Sequence, residues 1–502
     1  MSNIRRQSII SSLVIYFGFA VGLFNTYIFT SKGYFTEAQY GLTTVFIAIA
    51  LLMSSIAGMA MPSYIFKFYH YYNDNLPPRK NDMMTWSLLV STVGFCLIIA
   101  SGLVFKHFVI QKFGTNSRLL VEYYYWVFPL GLGLTIYSVL EAYTWCLGKP
   151  VVTSFIKEAE WRLLITILIV LFITRIIKDF DLFIKLFAFS YPGIAISLFL
   201  YLLIKKKIHF TFSVSKVTRR FFSKIMALCL YFYGGTLIFT LSQVFDSFVI
   251  ASVLDNGLDK AGIFGLATVM TIVIQAPQRG IIAASISPLS KAWKEKNMAL
   301  LQKVYQRSSI NQLIFACAIF LLIWLNFTDG IITFGIKLSY LDGSWVFFLL
   351  GLTKIVDMGT GVNSQIIATS TSWKFELISG IILIVIMLPL TYILAKQYDI
   401  IGPAIGSLVS ITIYNIIRII FLWKKFRLFP FTNHTIQTLL LAAACYFICH
   451  FAFRNMHGLA GMTIRSSVFI ILYAAGAIYL KLSPDIQPVL QTIKKRLGIN
   501  QN

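Results

Sequence analysis

Ionisable side chains are scarce in this sequence, and acids are scarcest. Charged residues make up 12% of the 502, with 19 Asp and Glu against 43 Lys and Arg. Soluble domains carry about 25% charged residues, so a water-soluble globule of this length is excluded. Six cysteines (Cys96, Cys146, Cys229, Cys317, Cys445, Cys449) form no Cys-x-x-Cys pair and no metal-spaced cluster, which removes a disulfide framework and leaves them as small core residues. A His-Glu-x-x-His pair, a Gly-x-Ser-x-Gly elbow and a Gly-rich phosphate loop ending in Lys-Ser or Lys-Thr are all missing, so nothing points to zinc, serine or nucleotide hydrolysis. Asp179-Phe180-Asp181 spells an Asp-x-Asp, but three residues in a short turn carry no weight alone. Large outward loops rich in acids or histidine, which a membrane-embedded glycan polymerase would need, are also missing. The largest such segments, Phe327 to Ser344 and Lys106 to Arg118, are small.

What is present is apolar sequence. Leu13 to Thr30, Leu42 to Ile65 and Ile381 to Leu394 carry no charge. Roughly 20 such residues cross a bilayer core, and the chain has about fourteen strings of this kind. They run without period-2 alternation, which selects helices over a barrel. The expected class is therefore all-α, a polytopic membrane protein. Arg5 and Arg6 precede an apolar stretch beginning at Ile9 that is too long for a signal peptide core, so it reads as an uncleaved first helix.

Lys and Arg gather in alternate connecting segments. Lys205, Lys206, Lys207, Lys216, Arg219, Arg220 and Lys224 fall in one of them, and Lys291, Lys294, Lys296, Lys303 and Arg307 in another. The positive-inside rule then places both termini in the cytoplasm. Contact with anionic membrane lipids accounts for the net charge of +24, and no basic soluble domain exists to bind nucleic acid.

The sequence also repeats. Tyr40-Gly41-Leu42-Thr43-Thr44 is echoed by Phe264-Gly265-Leu266-Ala267-Thr268, with Pro62 and Pro288 expected to end the two stretches. Trp126-Val127-Phe128 is echoed by Trp345-Val346-Phe347, and Lys157-Glu158 by Lys374 and Glu376, at nearly the same offset. This predicts two six-helix lobes over 1–204 and 225–430, a basic solvated linker over 205–224, an extra helix pair over 431–482 and a tail over 483–502. Duplicated bundles are the usual frame of alternating-access transporters.

The two (Tyr/Phe)-Gly-Leu-x-Thr entries resemble the Wzx-type lipid-linked oligosaccharide flippases of the multidrug/oligosaccharidyl-lipid/polysaccharide exporter superfamily. So do Leu147-Gly148-Lys149-Pro150, the charged entry Lys157 to Arg162 and Asp246. The resemblance spans nearly the whole chain. It implies a two-lobed, non-enzymatic transporter of the bacterial inner membrane that moves an undecaprenyl-pyrophosphate-linked oligosaccharide to the periplasmic leaflet. It implies no cofactor, and it leaves open coupling to H+, to Na+ or to membrane potential alone. Partners would be that glycolipid, the membrane lipids, and a polysaccharide polymerase with its chain-length machinery. The first helix carries Asn25 where lipid II flippases of the same superfamily place charges. A multidrug cation antiporter on the same fold and a glycan polymerase are the alternatives.

A charge near the bilayer centre costs roughly 2.5 to 3.5 kcal/mol, so such residues face a cavity or a partner. Arg279, with Gln275 one turn before it, and Lys354 with Asp357 meet that description and, together with Asn25, are the candidate substrate-binding set. Arg418, close to Lys424, reads as a guanidinium snorkelling to the inner interface. Lys157, Glu158, Glu160 and Arg162 are expected to open the fifth helix at the cytoplasmic surface as an ion-paired gate. Asp246 and Glu141 are the acids expected to bind a coupling ion. No metal ligands are foreseen.

Overall fold

The computed structural model describes residues 2–485, with side chains from Ile10 onward, Ser12 excepted. The tail beyond Asp485, including Lys494, Lys495 and Arg496, lies outside the described residues. The elements are α1 (Ser2–Thr30), α2 (Glu37–Ala57), α3 (Met61–Asn73), α4 (Met83–Val104), α5 (Lys106–Phe113), α6 (Arg118–Glu122), α7 (Val127–Cys146), α8 (Pro150–Ser154), a π-helical segment (Phe155–Glu160), α9 (Trp161–Ile173), α10 (Phe180–Ala188), α11 (Ser190–Ile204), α12 (Lys216–Val253), α13 (Gly257–Lys294), α14 (Met298–Thr333), α15 (Ser344–Gly359), α16 (Asn363–Thr369), α17 (Lys374–Tyr398), α18 (Ile401–Phe426), α19 (Asn433–Ala452) and α20 (Gly458–Tyr479). The protein is all-helical, as its composition requires.

Among the described residues, twelve helices are long and apolar enough to cross a membrane, thirteen when the bent pair Leu338–Gly359 with Asn363–Thr369 is counted as one span. Helices α8 and α9, joined end to end through the π segment, cover the expected fifth helix. Proline acts differently from expectation in both repeats. Pro62 opens α3 at a position where no backbone donor is needed, as proline does in a first helical turn. Pro277 and Pro288 sit inside α13, which runs unbroken past both to Lys294.

The chain forms two compact units, Met1–Gly262 and Ile263–Asn502. The first extends well past residue 204 because α12 packs on α2 and α3. Polar contacts fix it there. Asp82, fully buried at the start of α4, accepts from Ser215 N at 2.9 Å and Thr218 Oγ1 at 2.8 Å, and Ser117 Oγ donates to Ala251 O at 2.6 Å. Helix α12 thus begins at Lys216, inside the stretch expected to be linker. Two glycines set the closest approaches. A Cβ on Gly133 of α7 would stand 2.1 Å from Pro192 N of α11, and one on Gly41 of α2 would stand 1.8 Å from Leu258 O. Asp179-Phe180-Asp181 resolves as the start of α10, where Asp181 pairs with Lys185 at 2.6 Å.

In the second unit, α14 is the shared support. Leu313, Cys317 and Leu325 of α14 bury against Cys445 and Cys449 of α19 and Phe469 and Tyr473 of α20. Arg465 of α20 reaches Asp329 at 2.5 Å and Asn326 at 3.0 Å. The extra helix pair is therefore built into this unit. The segment after α20 docks on the start of α14, where Arg307 and Asn311 both bind Asp485. Partial burial pushes the Asp485 carboxyl up, but the hydrogen bonds from Arg307 and Asn311 prevail and hold it below the usual carboxylate range.

Two outcomes follow from this packing. Gly133→Val should lower the thermal unfolding midpoint in detergent by several degrees through overpacking, while Gly234→Ala, with nothing within 4 Å of its added carbon, should leave it unchanged. Because the folded carboxyl of Asp485 is depressed, its docking is fully present above the unfolded carboxylate value of about 3.9 and is lost as pH falls through the folded one. Exchange protection at Ser483 to Asp485, measured against the intrinsic rate at each pH, should therefore be high at pH 7 and should fall as the pH drops below about 3.9 and through the depressed Asp485 value, and Asp485→Asn should show low protection throughout.

Candidate functional site

Among the described residues, each unit holds a cluster of polar side chains that includes residues singled out from the sequence. In the first, the cluster is built around the π segment. A π-helical turn inserts a residue into the helical ladder and re-aims neighbouring side chains, and here it carries Lys157, Glu158 and Glu160 into the bundle. Helix α1 crosses directly over it. Lys157 Nζ donates to Glu141 Oε2 of α7 at 3.2 Å. Arg162 Nη1 donates to Glu158 Oε2 at 2.5 Å, with both side chains 18% exposed. Ser197 of α11 donates to Glu160 at 2.6 Å. Asn25 of α1 closes the cluster. Its amide donates to Arg162 O at 2.9 Å and its carbonyl accepts from Thr166 Oγ1 at 2.7 Å. The expected gate quartet, Asn25 and Glu141 thus gather around the π segment in three hydrogen-bonded groups: Lys157 with Glu141, Glu160 with Ser197, and Arg162 with Glu158, Asn25 and Thr166.

The helix opens at Pro150, so at about 1.5 Å per residue Lys157 and Arg162 lie about 10 and 18 Å along it, and α8 supplies the first turn that the charged residues were expected to supply. Asp246 is late in α12 and half-buried.

The second unit holds a longer chain of hydrogen bonds. Asp357 of α15 accepts from Gln278 of α13 and from Asn415 of α18, both at 3.4 Å. Asn415 Oδ1 accepts from Thr360 at 2.9 Å and from Asn363 of α16 at 2.8 Å. Asn363 in turn accepts from Arg418 Nη1 at 3.3 Å. Arg418 Nη2 donates to Glu376 of α17 at 2.5 Å, its Nε to Ser379 at 3.2 Å, and its guanidinium lies 4.0 Å from the Tyr414 ring centre. Ser364 also binds Glu376, at 2.7 Å. The second carboxylate oxygen of Glu376, Oε2, is buried with no hydrogen-bond partner among the described residues.

The snorkelling reading of Arg418 is corrected here. It is 3% exposed, because α18 runs on to Phe426 and leaves the guanidinium about 12 Å short of the helix end. Arg279 is exposed on α13, Gln275 is half-buried one turn earlier, and Lys354 is half-buried on α15 one turn before Asp357. The sequence reading missed Asn363, Asn415 and Arg418 as partners and Glu376 as the half-buried acid that pairs with Arg418. One signal was available: Glu376 is the repeat echo of Glu158, and both acids prove to be held by an arginine. No group of three or more His, Cys, Asp or Glu among the described residues could hold a metal ion.

No protein-family model matches the chain, and no curated protein matches its sequence. Solved structures do match. A lipid II flippase, MurJ, in an inward closed conformation aligns with TM-score 0.74 at 15% identity, covering 94% of this chain and 99% of that one. An inward-facing multidrug resistance MATE family transporter of the MOP superfamily aligns with TM-score 0.65 at 16% identity over 83% of this chain and 97% of that one. A MATE protein in complex with MaL6 aligns with TM-score 0.58 at 16% identity, over 84% and 95%. The chain has the fold these proteins share.

The pair carries a stability expectation. Glu376→Met leaves the buried Arg418 guanidinium uncompensated and should destabilise by about 3 kcal/mol, whereas Arg418→Leu with Glu376→Met should recover most of that loss. Thermal unfolding of the two single variants and the double variant closes the cycle, and strictly additive effects would show that the pair is not coupled.

Proposed function

We propose that this protein is a flippase that carries an undecaprenyl-pyrophosphate-linked oligosaccharide from the cytoplasmic to the periplasmic leaflet for polysaccharide assembly. The observation that carries the reading is a fold aligned over 94% of the chain with a lipid II flippase, joined to Arg279 on α13 and Lys354 on α15, cations carried by apolar helices. Arg279 and Lys354 are the residues we assign to the pyrophosphate. A guanidinium offers it a planar set of donors, and an ammonium adds a point charge. Gln275, Asp357 and Asn25 complete the binding set, with Asp357 oriented by Gln278 and Asn415.

The protein sits in the bacterial inner membrane with both termini in the cytoplasm, acts without a cofactor and catalyses no covalent step. With the cytoplasm negative, outward movement of net negative charge is favoured by about 2.3 kcal/mol per charge per 100 mV, and an empty cationic site is drawn back inward. Membrane potential can therefore bias the cycle, with H+ or Na+ at Asp246 or Glu141 as the coupled alternative. The cluster around Lys157, Glu158, Glu160 and Arg162 acts as the gate through exchange of its ion pairs. A polysaccharide polymerase with its chain-length machinery receives the product.

The second reading is a multidrug antiporter, favoured by the MATE likeness. It requires an acid-lined path for cations, and Arg279 and Lys354 oppose it.

Leaflet-resolved extraction of undecaprenyl-pyrophosphate glycans separates the two. Cells lacking the protein should accumulate a complete glycan on the cytoplasmic face, and Arg279→Ala and Lys354→Ala should each reproduce that accumulation while remaining folded in the membrane. An unchanged lipid pool in the deletion strain points to drug efflux, and normal export by both variants overturns the cationic assignment.

A further inference from the structure

The stretch between α11 and α12 is more than a solvated connector. Its backbone is pinned at three places. Tyr143 Oη donates to Lys207 O at 2.9 Å, Thr211 N donates to Thr85 Oγ1 at 3.0 Å, and Ser215 N donates to Asp82 Oδ2 at 2.9 Å. Between and beside these anchors lies a pocket of about 340 Å³ lined by Arg79, Leu203, Lys206, Ile208 and His209. Its charged rim comes from two separate segments, Arg79 from the turn between α3 and α4 and Lys206 and His209 from this stretch. No carboxylate lines it. Lys206 is held in the left-handed region with φ +51° by bonding its N–H to Leu203 O at 2.9 Å. His209 Nδ1 lies 2.8 Å from Ile208 O, and because a carbonyl only accepts, Nδ1 carries the hydrogen and the ring is fixed in orientation.

The location is specific. Leu203 is the last residue but one of α11, whose apolar run ends at Ile204, so the pocket opens at the level where lipid headgroups begin. Around it Ile204, Phe210, Phe212 and Val214 are 76%, 48%, 74% and 40% exposed. Aromatic and aliphatic side chains at that depth, beside a cluster of cations, are what a segment lying in the membrane interface presents. A water-facing connector would gain nothing from exposing them.

We propose that this pocket binds the phosphodiester of an anionic phospholipid, with Arg79 and Lys206 on the phosphate, His209 at its edge, and Leu203 and Ile208 against the start of the acyl chains. A volume of about 340 Å³ is at the lower end of small-ligand sites, about 300 to 1,000 Å³, and suits a headgroup with its glycerol. The site lies in the first unit and is separate from the residues assigned to the pyrophosphate. It therefore stands or falls independently of the transport reading.

The test uses the full-length protein purified in detergent, with retention of phosphatidylglycerol, phosphatidylcholine and inorganic phosphate measured by native mass spectrometry. The wild type should retain phosphatidylglycerol over phosphatidylcholine. Arg79→Gln with Lys206→Asn should weaken that retention about tenfold or more, asparagine being chosen because it tolerates positive φ. Arg79→Lys with Lys206→Arg keeps both charges and should retain the lipid, as should Lys424→Gln with Lys425→Gln on α18. Equal retention by the neutralised variant overturns the proposal. So does loss in the charge-preserving variant, which would mark a purely structural effect. Displacement of the lipid by millimolar inorganic phosphate would assign the pocket to a soluble phosphate and overturn the lipid assignment.

Discussion

An ionised side chain surrounded by hydrocarbon must find a partner inside its own bundle, and the polar architecture of this protein depends on that constraint. Arg418 is the clearest case. At 3% exposure its guanidinium has no water to solvate it, so Glu376, Ser379, Asn363 and the Tyr414 ring take over that work from three helices. The cost of desolvating such a pair is several kcal/mol per ion, and only good geometry with further hydrogen bonds offsets it. The pair accordingly ties α16, α17 and α18 to one arrangement. In the first unit the Arg162–Glu158 pair lies within one helical run, and Asn25 of α1, bound to the Arg162 carbonyl, is what ties that run to a second helix.

The apolar bulk of the molecule imposes the complementary constraint. With lipid outside, little hydrophobic driving force acts between helices, and close packing through small residues takes its place. Gly133 against Pro192 and Gly41 against Leu258 are contacts that no side chain larger than hydrogen fits. They bring α7 onto α11 and α2 onto the start of α13. Charged networks and glycine contacts therefore divide the work: glycine sets distance, and ion pairs set register.

Much of this was legible in the sequence. Composition and the length of apolar runs gave the helical class, and the echo of Tyr40 to Thr44 at Phe264 to Thr268 gave the duplication. The charge within an apolar run marked Asp357, which Gln278 and Asn415 contact; the same reading marked Arg279, which is exposed on α13. The candidate site was legible only in part. Lys157 to Arg162 stood out as charged, but the added turn of α8 and the π segment that carries them into the bundle leave no mark in a hydrophobicity pattern. Likewise Arg418 looked interfacial beside Lys424, since spacing along a chain says nothing about which neighbouring helix comes within reach.

By itself the sequence determined that the chain crosses a membrane as helices, and it carries an echo of the same short motifs in its two parts. The crossing is a property of local composition, and it follows from the energy of moving single residues between water and lipid. The tertiary structure alone decided that Glu376 meets Arg418, that Asn25 meets Arg162 and Thr166, that α12 closes the first unit, and that Arg79 stands beside Lys206 and His209. Each of these joins residues far apart in the chain. The free energy that fixes such a meeting belongs to the pair, and no single position records it.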